Sequence, residues 1–540
     1  MKRMALALAA AAALWSAACS SGSGNNITPP PANGTFTLAS LSGTYAFVTN
    51  GEVFANGAVT ATPLARTGSF IADGQGGIKG GVEDVAQPGA LPSLAIPITG
   101  GSYTISADGR GMLTLNLNAN GVASSITFGI TLTSVAGGLL IDETSTASQA
   151  STGSGNFIQQ NTALCASPAT SVAGPYVFDF SGFDGGGFPA SLIGEYTVSG
   201  GVITTGFTDV NDNFALSSGA ITGSFGTDGA NPAGPTLCGR GLAQIAGAAY
   251  VYYVVSPTRV RLISAGTSGS MLTGDAIAQS NLPASVNAIN GGFVFIAAGS
   301  SSAGGGITRI GRFTATGSAT LTNVLQDTNN SGTFFQVNTT ISTSITYDPT
   351  TGRGVFTFAN QQFSNAPSKF VFYLSSATQG VVQEVTTSGG ALVAVDDGTL
   401  AAQSGGPFTT SNVTGPYALN WSGLSFQQNG QFIDEEDLVG QVAISNLFLT
   451  GTSDIFQFTN GVPVTNLATS GKIAFAGDGT GGDGSGSSGL RNTMPISLNG
   501  SSQIQFVVYF VNPQLAYFTN NSNSSTTRIV AGVLQAQQQP

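Results

Sequence analysis

Apolar and polar residues alternate along most of this chain, and the alternation restarts four times. Each restart reads apolar, small or polar, Gly, any residue, aromatic: Leu41-Ser42-Gly43-Thr44-Tyr45, Val172-Ala173-Gly174-Pro175-Tyr176, Ile289-Asn290-Gly291-Gly292-Phe293 and Val413-Thr414-Gly415-Pro416-Tyr417. The aromatics stand 131, 117 and 124 residues apart. Behind each, every second residue stays large and apolar, as in Tyr45/Phe47, Tyr176/Phe178/Phe180, Phe293/Phe295 and Tyr417/Leu419/Trp421. Side chains of a strand alternate between its two faces, so this spacing predicts a first strand with one buried face, entered through a Gly turn. An exposed aromatic strip would suit sugar binding; recurrence in all four copies favours a core.

Two further signals recur in each unit. An apolar residue is followed six positions later by Asp: Ile78 with Asp84, Ile203 with Asp209, Leu321 with Asp327, Phe448 with Asp454. A Gly-rich turn then carries Arg: Arg110, Arg240, Arg353 and, in a degenerate copy, Arg491. In a chain this poor in basic residues, an Arg kept in each copy is read as structural, pairing with a carboxylate or with carbonyls near the turn. Each unit closes with strongly apolar strands (Ile126 to Thr133, Tyr250 to Val255, Phe370 to Leu374, Ile504 to Val511) and a Gly-led strand (Gly153 to Gln160, Gly274 to Ser280, Gly398 to Ser404, Gly532 to Gln538). The first unit holds eight candidate strands, near Tyr45, Phe70, Val82, Tyr103, Leu115, Phe128, Leu140 and Phe157. Eight short strands joined by hairpins predict an up-and-down antiparallel barrel, with an immunoglobulin-like β-sandwich as the alternative. The chain therefore divides into all-β units at 41–160, 172–280, 289–404 and 413–539.

Composition agrees with strands and turns. The 540 residues include 76 Gly and 33 Phe, with 41% hydrophobic and only 8% charged residues, which suits packed β cores and not helices or disorder. The formal charge of −11 disfavours nucleic acid and anionic lipid head groups as partners.

At the start, Lys2 and Arg3 precede an uncharged run from Met4 to Ala18 that ends in Ser16-Ala17-Ala18 before Cys19. This is the order of a secretory signal, 1–18, and the run is too short to span a bilayer as a helix. It resembles the lipobox of bacterial lipoproteins, with Ser16 where that family usually has Leu. The resemblance implies a diacylglyceryl group on Cys19 and an exported protein held to the outer membrane, on its surface or periplasmic face, through that anchor alone. Residues 19–40, rich in Ser, Gly, Asn and Pro, then read as the lipidated cysteine and a flexible tether. With Cys19 acylated, Cys165 and Cys238 remain as the even pair expected of an oxidising compartment, and they are expected to form a disulfide.

Candidate chemistry is mostly excluded. The chain has no histidine, so His-dependent nucleophiles, His-ligated metals and His bases are absent. The dense acidic run Asp434-Glu435-Glu436-Asp437 is the remaining place for a carboxylate glycosidase, but four adjacent acids on a hairpin read first as a solvated loop. No cofactor is expected. Calcium is the inorganic alternative, at Asp209-Val210-Asn211-Asp212-Asn213, at Asp327-Thr328-Asn329-Asn330-Ser331-Gly332 and at Gly477 to Gly486, although none completes an EF-hand. The leading expectation is a non-catalytic envelope spacer or adhesion stalk meeting a surface glycan, matrix or envelope protein. The alternative is a small-ligand carrier, which requires a barrel cavity lined by the repeated aromatics.

Overall fold

The computed structural model describes residues 35–540 other than 56–60, 148, 229–238, 340–342, 359–367, 389–390, 427–432, 458–460, 476–490 and 522–527. The first unit is a closed antiparallel barrel of Ser42–Ala55, Thr62–Asp73, Gly77–Ala86, Ser93–Ile105, Arg110–Ala119, Val122–Ser134, Gly137–Asp142 and Gln149–Gln159, in that order. Closure comes from Ser42–Ala55, which pairs on one side with Thr62–Asp73 and on the other with Gln149–Gln159. All eight strands sit where the alternation placed them, in a barrel and not a sandwich.

The second and third units close in the same way, through Pro189–Ser199 against Val202–Asp212 and Gly306–Thr316 against Thr320–Asn330. In each, the fourth strand is broken in two: Ala215–Ala220 and Gly223–Thr227 in one, Thr333–Thr339 and Thr343–Tyr347 in the other. The fourth unit is a half-barrel. Its sheet runs from Asn492–Thr493 through Phe506–Asn512, Leu515–Asn520, Arg528–Ala536 and Gly415–Phe426 to Val464–Lys472 and Ile496–Leu498.

The repeated aromatics fill the interiors. Tyr45 stacks on Phe70 at 5.5 Å and meets Phe157 edge-on at 5.7 Å, while Phe47 approaches Phe128 at 5.7 Å. Phe178 stacks on Tyr196 at 5.5 Å, Phe295 packs on Phe370 at 5.3 Å and Trp421 on Phe506 at 5.3 Å. Such pairs add about 0.5–1.5 kcal/mol each beyond the area they bury. The carrier reading needed these rings to line a cavity, and they pack against one another instead.

Two glycine positions explain why the repeat keeps them. The opening Gly adopts positive φ in every unit, +118° at Gly43, +95° at Gly174, +105° at Gly291 and +103° at Gly415, where a side chain is strained. The last strand carries a Gly opposite the first strand's interior: Gly155 faces Thr49, Gly274 Phe180, Gly398 Ala297 and Gly532 Trp421. A Cβ at Gly274 would stand 1.7 Å from the Asp179 carbonyl oxygen, and one at Gly532 2.3 Å from the Phe518 ring. The first unit's counterpart is thus Gly155 and not Gly153, and none of these glycines leads its strand: the strands begin at Gln149, Met271, Ala394 and Arg528. In units 1 to 3 the pairing of the second and third strands slips between the repeated apolar residue and its Asp, whereas in the fourth it runs without a slip, so Leu449 is buried in place of Phe448, which is 56% exposed.

The four units form a ring. Units 1 and 2 share an apolar layer that includes Ala46, Val82, Val251 and Ile263; units 2 and 3 share Val177, Ile193, Val371 and Val381; units 3 and 4 share Ile296, Ile310, Val507 and Val533. Unit 4 then returns to unit 1, where Thr152 donates to Asp437 at 2.6 Å, Ser154 to Asn420 at 2.9 Å, and Phe54 meets Phe456. An extended stalk needs its end units apart. The ring brings them together, which overturns the elongated form of the spacer expectation.

Candidate functional site

The repeated Asp and the repeated Arg turn out to be two halves of one device. Arg240 of unit 2 donates through Nε and Nη2 to Asp84 of unit 1, at 2.9 and 2.7 Å. Arg353 of unit 3 grips Asp209 of unit 2 at 2.8 Å through each nitrogen. Arg491 of unit 4 holds Asp327 of unit 3, with Nε 2.9 Å from Oδ2 and Nη2 2.9 Å from Oδ1. A tyrosine on the strand beside each Arg donates its hydroxyl to the same carboxylate: Tyr253 to Asp84, Tyr373 to Asp209 at 2.6 Å, Tyr509 to Asp327 at 2.5 Å. Arg240 also contacts Asp228.

These carboxylates are buried, with Asp84 and Asp327 at 0% exposure and Asp209 at 2%. Burying such a charge is costly, and the planar fork of Arg with one phenol answers both oxygens at once. Geometry of this kind fixes how one unit sits on the next. It leaves the carboxylate no role as a base.

The fourth pair, Arg110 with Asp454, closes the ring loosely. Nη1 lies 3.8 Å from Asp454, while Nε turns to Asp108 at 3.0 Å and Nη1 donates to Asn466 at 3.2 Å. Opposite Arg110 across the strand pair stands Thr131, where the second and third units have Tyr253 and Tyr373. Asp454 accepts the Asn466 backbone amide at 2.6 Å, as Asp84 accepts that of Ala95 at 2.7 Å.

A glutamine five residues beyond each last-strand Gly supplies a second fastening. Gln160 donates to the Val254 carbonyl at 2.7 Å, Gln279 to Leu374 at 2.9 Å, Gln403 to Phe510 at 2.7 Å, and Gln537 to Leu132 at 2.8 Å and Asp108 at 2.9 Å. The sequence reading missed both this series and the tyrosines, although the constant Gly-to-Gln spacing was there to be found.

The calcium-like loops are spent on the same seams. Asp209 and Asp327 face arginines, Asn211 donates to the Ala394 carbonyl at 2.8 Å, and Asn329 to Asn520 at 2.8 Å and to the Arg528 carbonyl at 2.7 Å. Gly477 to Gly486 lie outside the described residues. Among the described residues no cluster of three acidic or Cys side chains is arranged to hold a metal.

The acidic run is not a solvated loop. It belongs to the strand Ile433–Ser445, and Glu435, Glu436 and Asp437 are each fully buried. Glu436 points into the half-barrel, where Arg528 donates at 2.8 Å and the Trp421 indole at 3.1 Å. Burial, then the neighbouring Asp437 and Glu52, hold Glu435 well above the usual carboxylate range. Burial lifts Asp437 to about 7 against the hydrogen bonds of Thr152 and Ser422. Glu143 rises to about 8, through burial and then the charges of Asp454 and Asp142. Glycoside hydrolysis by two carboxyls needs them to flank a substrate, and Glu435, Glu436 and Asp437 are buried side chains of one strand.

Cys165 is disulfide-bonded; Cys238, its expected partner, and Cys19 lie outside the described residues. Phe36, within the stretch 19–40 expected to be a flexible tether, is buried and donates its backbone amide to the Ala107 carbonyl at 3.1 Å, and Leu38–Ser40 form a 3-10 turn, so the ordered part begins before residue 41; Gln537 donates to the next carbonyl, that of Asp108. The two ends of the described chain thus meet at one turn of unit 1.

No protein-family model and no curated protein matches the chain. Solved structures overlap it only at low scores. Kievitone hydratase from Nectria haematococca has 9% identity over 48% of this chain and 97% of that one, with a TM-score of 0.20. A transferrin-binding protein B double mutant from Haemophilus parasuis has 9% identity over 74% and 82%, with a TM-score of 0.19. The isotype 1 transferrin-binding protein B from serogroup B Neisseria meningitidis has 8% identity over 74% and 84%, with a TM-score of 0.20. The fold of this chain therefore rests on its own strand pairings.

Proposed function

We propose that this chain is an exported, lipid-anchored, non-catalytic protein of the bacterial envelope or cell surface, whose four-unit ring presents a weakly charged Ser/Thr/Asn/Gly surface to a glycan, matrix or envelope-protein partner. The observation that carries the reading is the docking of Phe36 beside the Asp108–Gly109 turn, which fixes where the segment that follows Cys19 joins the ring. A body tied at one corner leaves the rest of its surface free to engage something else. The repeated polar residues support the non-catalytic part, because they are consumed in holding units together.

The test is labelled palmitate incorporation and membrane fractionation of the native chain beside Cys19→Ser, with protease shaving of intact and lysed cells. Label and membrane association should both vanish in Cys19→Ser. Shaving of intact cells should release peptides of the barrels if the ring faces outward, and release only after lysis would place it in the periplasm. Retention of label without Cys19 would sink the anchor.

A further inference from the structure

The strand Ile433–Ser445 turns its two faces to different neighbours. Glu436 points into the half-barrel, whereas Asp437 accepts the Thr152 hydroxyl of unit 1 at 2.6 Å, so Glu435 and Asp437 share the outer face that unit 1 covers. In the ladder with Gly415–Phe426, Ser422 stands directly opposite Asp437 and diagonal to Glu435. Opposite residues on one sheet face are about 5 Å apart at Cβ and diagonal ones about 7–8 Å, close enough for two carboxyls and a hydroxyl to touch one ion. All three residues are fully buried, and Glu435 Oε1 and Oε2, Asp437 Oδ1 and Ser422 Oγ make no hydrogen bond among the described residues.

Left ionised, two buried carboxylates call for a cation, and no side chain supplies it. Every Lys and Arg beyond Arg3 lies among the described residues, and none pairs with Glu435 or Asp437. Elsewhere the ring answers such charges with arginine: Asp275 with Arg259 and Arg261 between units 1 and 2, Glu384 and Asp396 with Arg309 within unit 3. Asp179, Asp397 and Glu143 each leave one oxygen unpartnered among the described residues, against three on Glu435 and Asp437 together.

We propose that this face is a calcium site: Glu435 and Asp437, with Ser422 between them, hold a dehydrated divalent cation that unit 1 seals in through Thr152. Oxygen donors without nitrogen or sulfur suit a hard cation, and two carboxylates match its double charge. With two acids and a hydroxyl it falls outside the three-acid clusters that the described residues lack. Closure against unit 1 strips the ion of water, which magnesium resists; calcium also accepts an irregular shell, completed by the Thr152 hydroxyl oxygen and enclosed water. The ion ties unit 4 to unit 1 across the seam whose Arg110 stays 3.8 Å from Asp454. It gives that seam the fastening that Arg491, Asp327 and Tyr509 give the one before it.

Trp421 reports on the site. It adjoins Ser422, its indole bonds Glu436 between the two acids at 3.1 Å, and the chain's other tryptophan is Trp15. The full chain carrying Cys19→Ser and Trp15→Phe is unfolded in urea and refolded with chelator or with calcium, since a closed site exchanges slowly. Refolded with calcium and dialysed, it should keep a single equivalent by elemental analysis and melt at a higher temperature than the chelated form. Refolded with terbium, it should emit on tryptophan excitation, and calcium in the refolding buffer should suppress that emission where magnesium does not. Glu435→Gln with Asp437→Asn should lose the retained calcium, the thermal shift and the emission. Trp421→Phe should lose the emission and keep the calcium, which locates the site even if the double variant does not fold. No calcium retained by the parent chain, retention unchanged in the double variant, emission that survives Trp421→Phe, or equal competition by magnesium each overturns the calcium site.

Discussion

The seam between units 3 and 4 and the seam between units 4 and 1 are built from the same repeated residues, yet they are fastened differently. In the first, Arg491 reaches Asp327 at 2.9 Å and Tyr509 adds a hydroxyl at 2.5 Å. In the second, Arg110 stays 3.8 Å from Asp454, and Thr131 is the residue facing it across the barrel strands. Thr131 is fully buried, and its Oγ1 finds no hydrogen-bond acceptor among the described residues. A threonine is too short to cross to the neighbouring unit. The Asn466 amide does not stand in for the phenol, since Asp84 accepts the matching amide of Ala95 at 2.7 Å and still takes Arg240 and Tyr253; what Asp454 lacks is the hydroxyl itself. One side chain on the partner strand thus separates a locked seam from a loose one.

The largest test of that contrast removes the acid from each seam. Asp327→Ala takes from buried Arg491 the carboxylate that it grips through two nitrogens, and should cost about 3–5 kcal/mol. Asp454→Ala gives up a long ion pair and one amide bond, and should cost about 1 kcal/mol. Urea unfolding of both variants at one pH decides, and equal losses would show that the 3.8 Å gap has no energetic meaning. Smaller effects should come from the hydroxyls. Tyr509→Phe keeps the ion pair but strips a bond to a charged group, for about 1.5–3 kcal/mol. Thr131→Val removes an unsatisfied hydroxyl and should be neutral or slightly stabilising. A large cost at Thr131 would mean that it holds a contact across the closing seam after all.

Much of this architecture was legible in the sequence, because alternation at period two is a local signal and recurred in each copy. The eight strands of unit 1 and the opening glycines follow from it. What was not legible is everything that depends on one unit meeting another. Asp84 and Arg240 are separated by 156 residues and belong to different copies, so reading each as a repeated position showed that both were structural without showing that they meet. Buried acids were misread for a related reason. Glu435 and Asp437 look like a solvated run until a second barrel covers their face, and outward-pointing residues of an isolated barrel are normally wet. The ring turns that outer face into a core, which is why the sequence signature of a surface loop appears in the interior.

The smallest contrast runs the other way and so tests whether the closing seam is weak throughout or only at its arginine. Gln403 reaches one carbonyl across its seam, that of Phe510, at 2.7 Å. Gln537 reaches two across the closing seam, Asp108 at 2.9 Å and Leu132 at 2.8 Å, and it is fully buried. At about 0.5–1.5 kcal/mol for each hydrogen bond, Gln537→Ala should cost more than Gln403→Ala. Amide exchange gives the local readout: in Gln537→Ala protection should fall at Gly109 and Leu132, whose turn the side chain clamps, before the barrel strands are affected. If Gln403→Ala proves the costlier, the closing seam is loose along its length. If Gln537→Ala does, the ring is held shut by Gln537 while the arginine beside it stays slack.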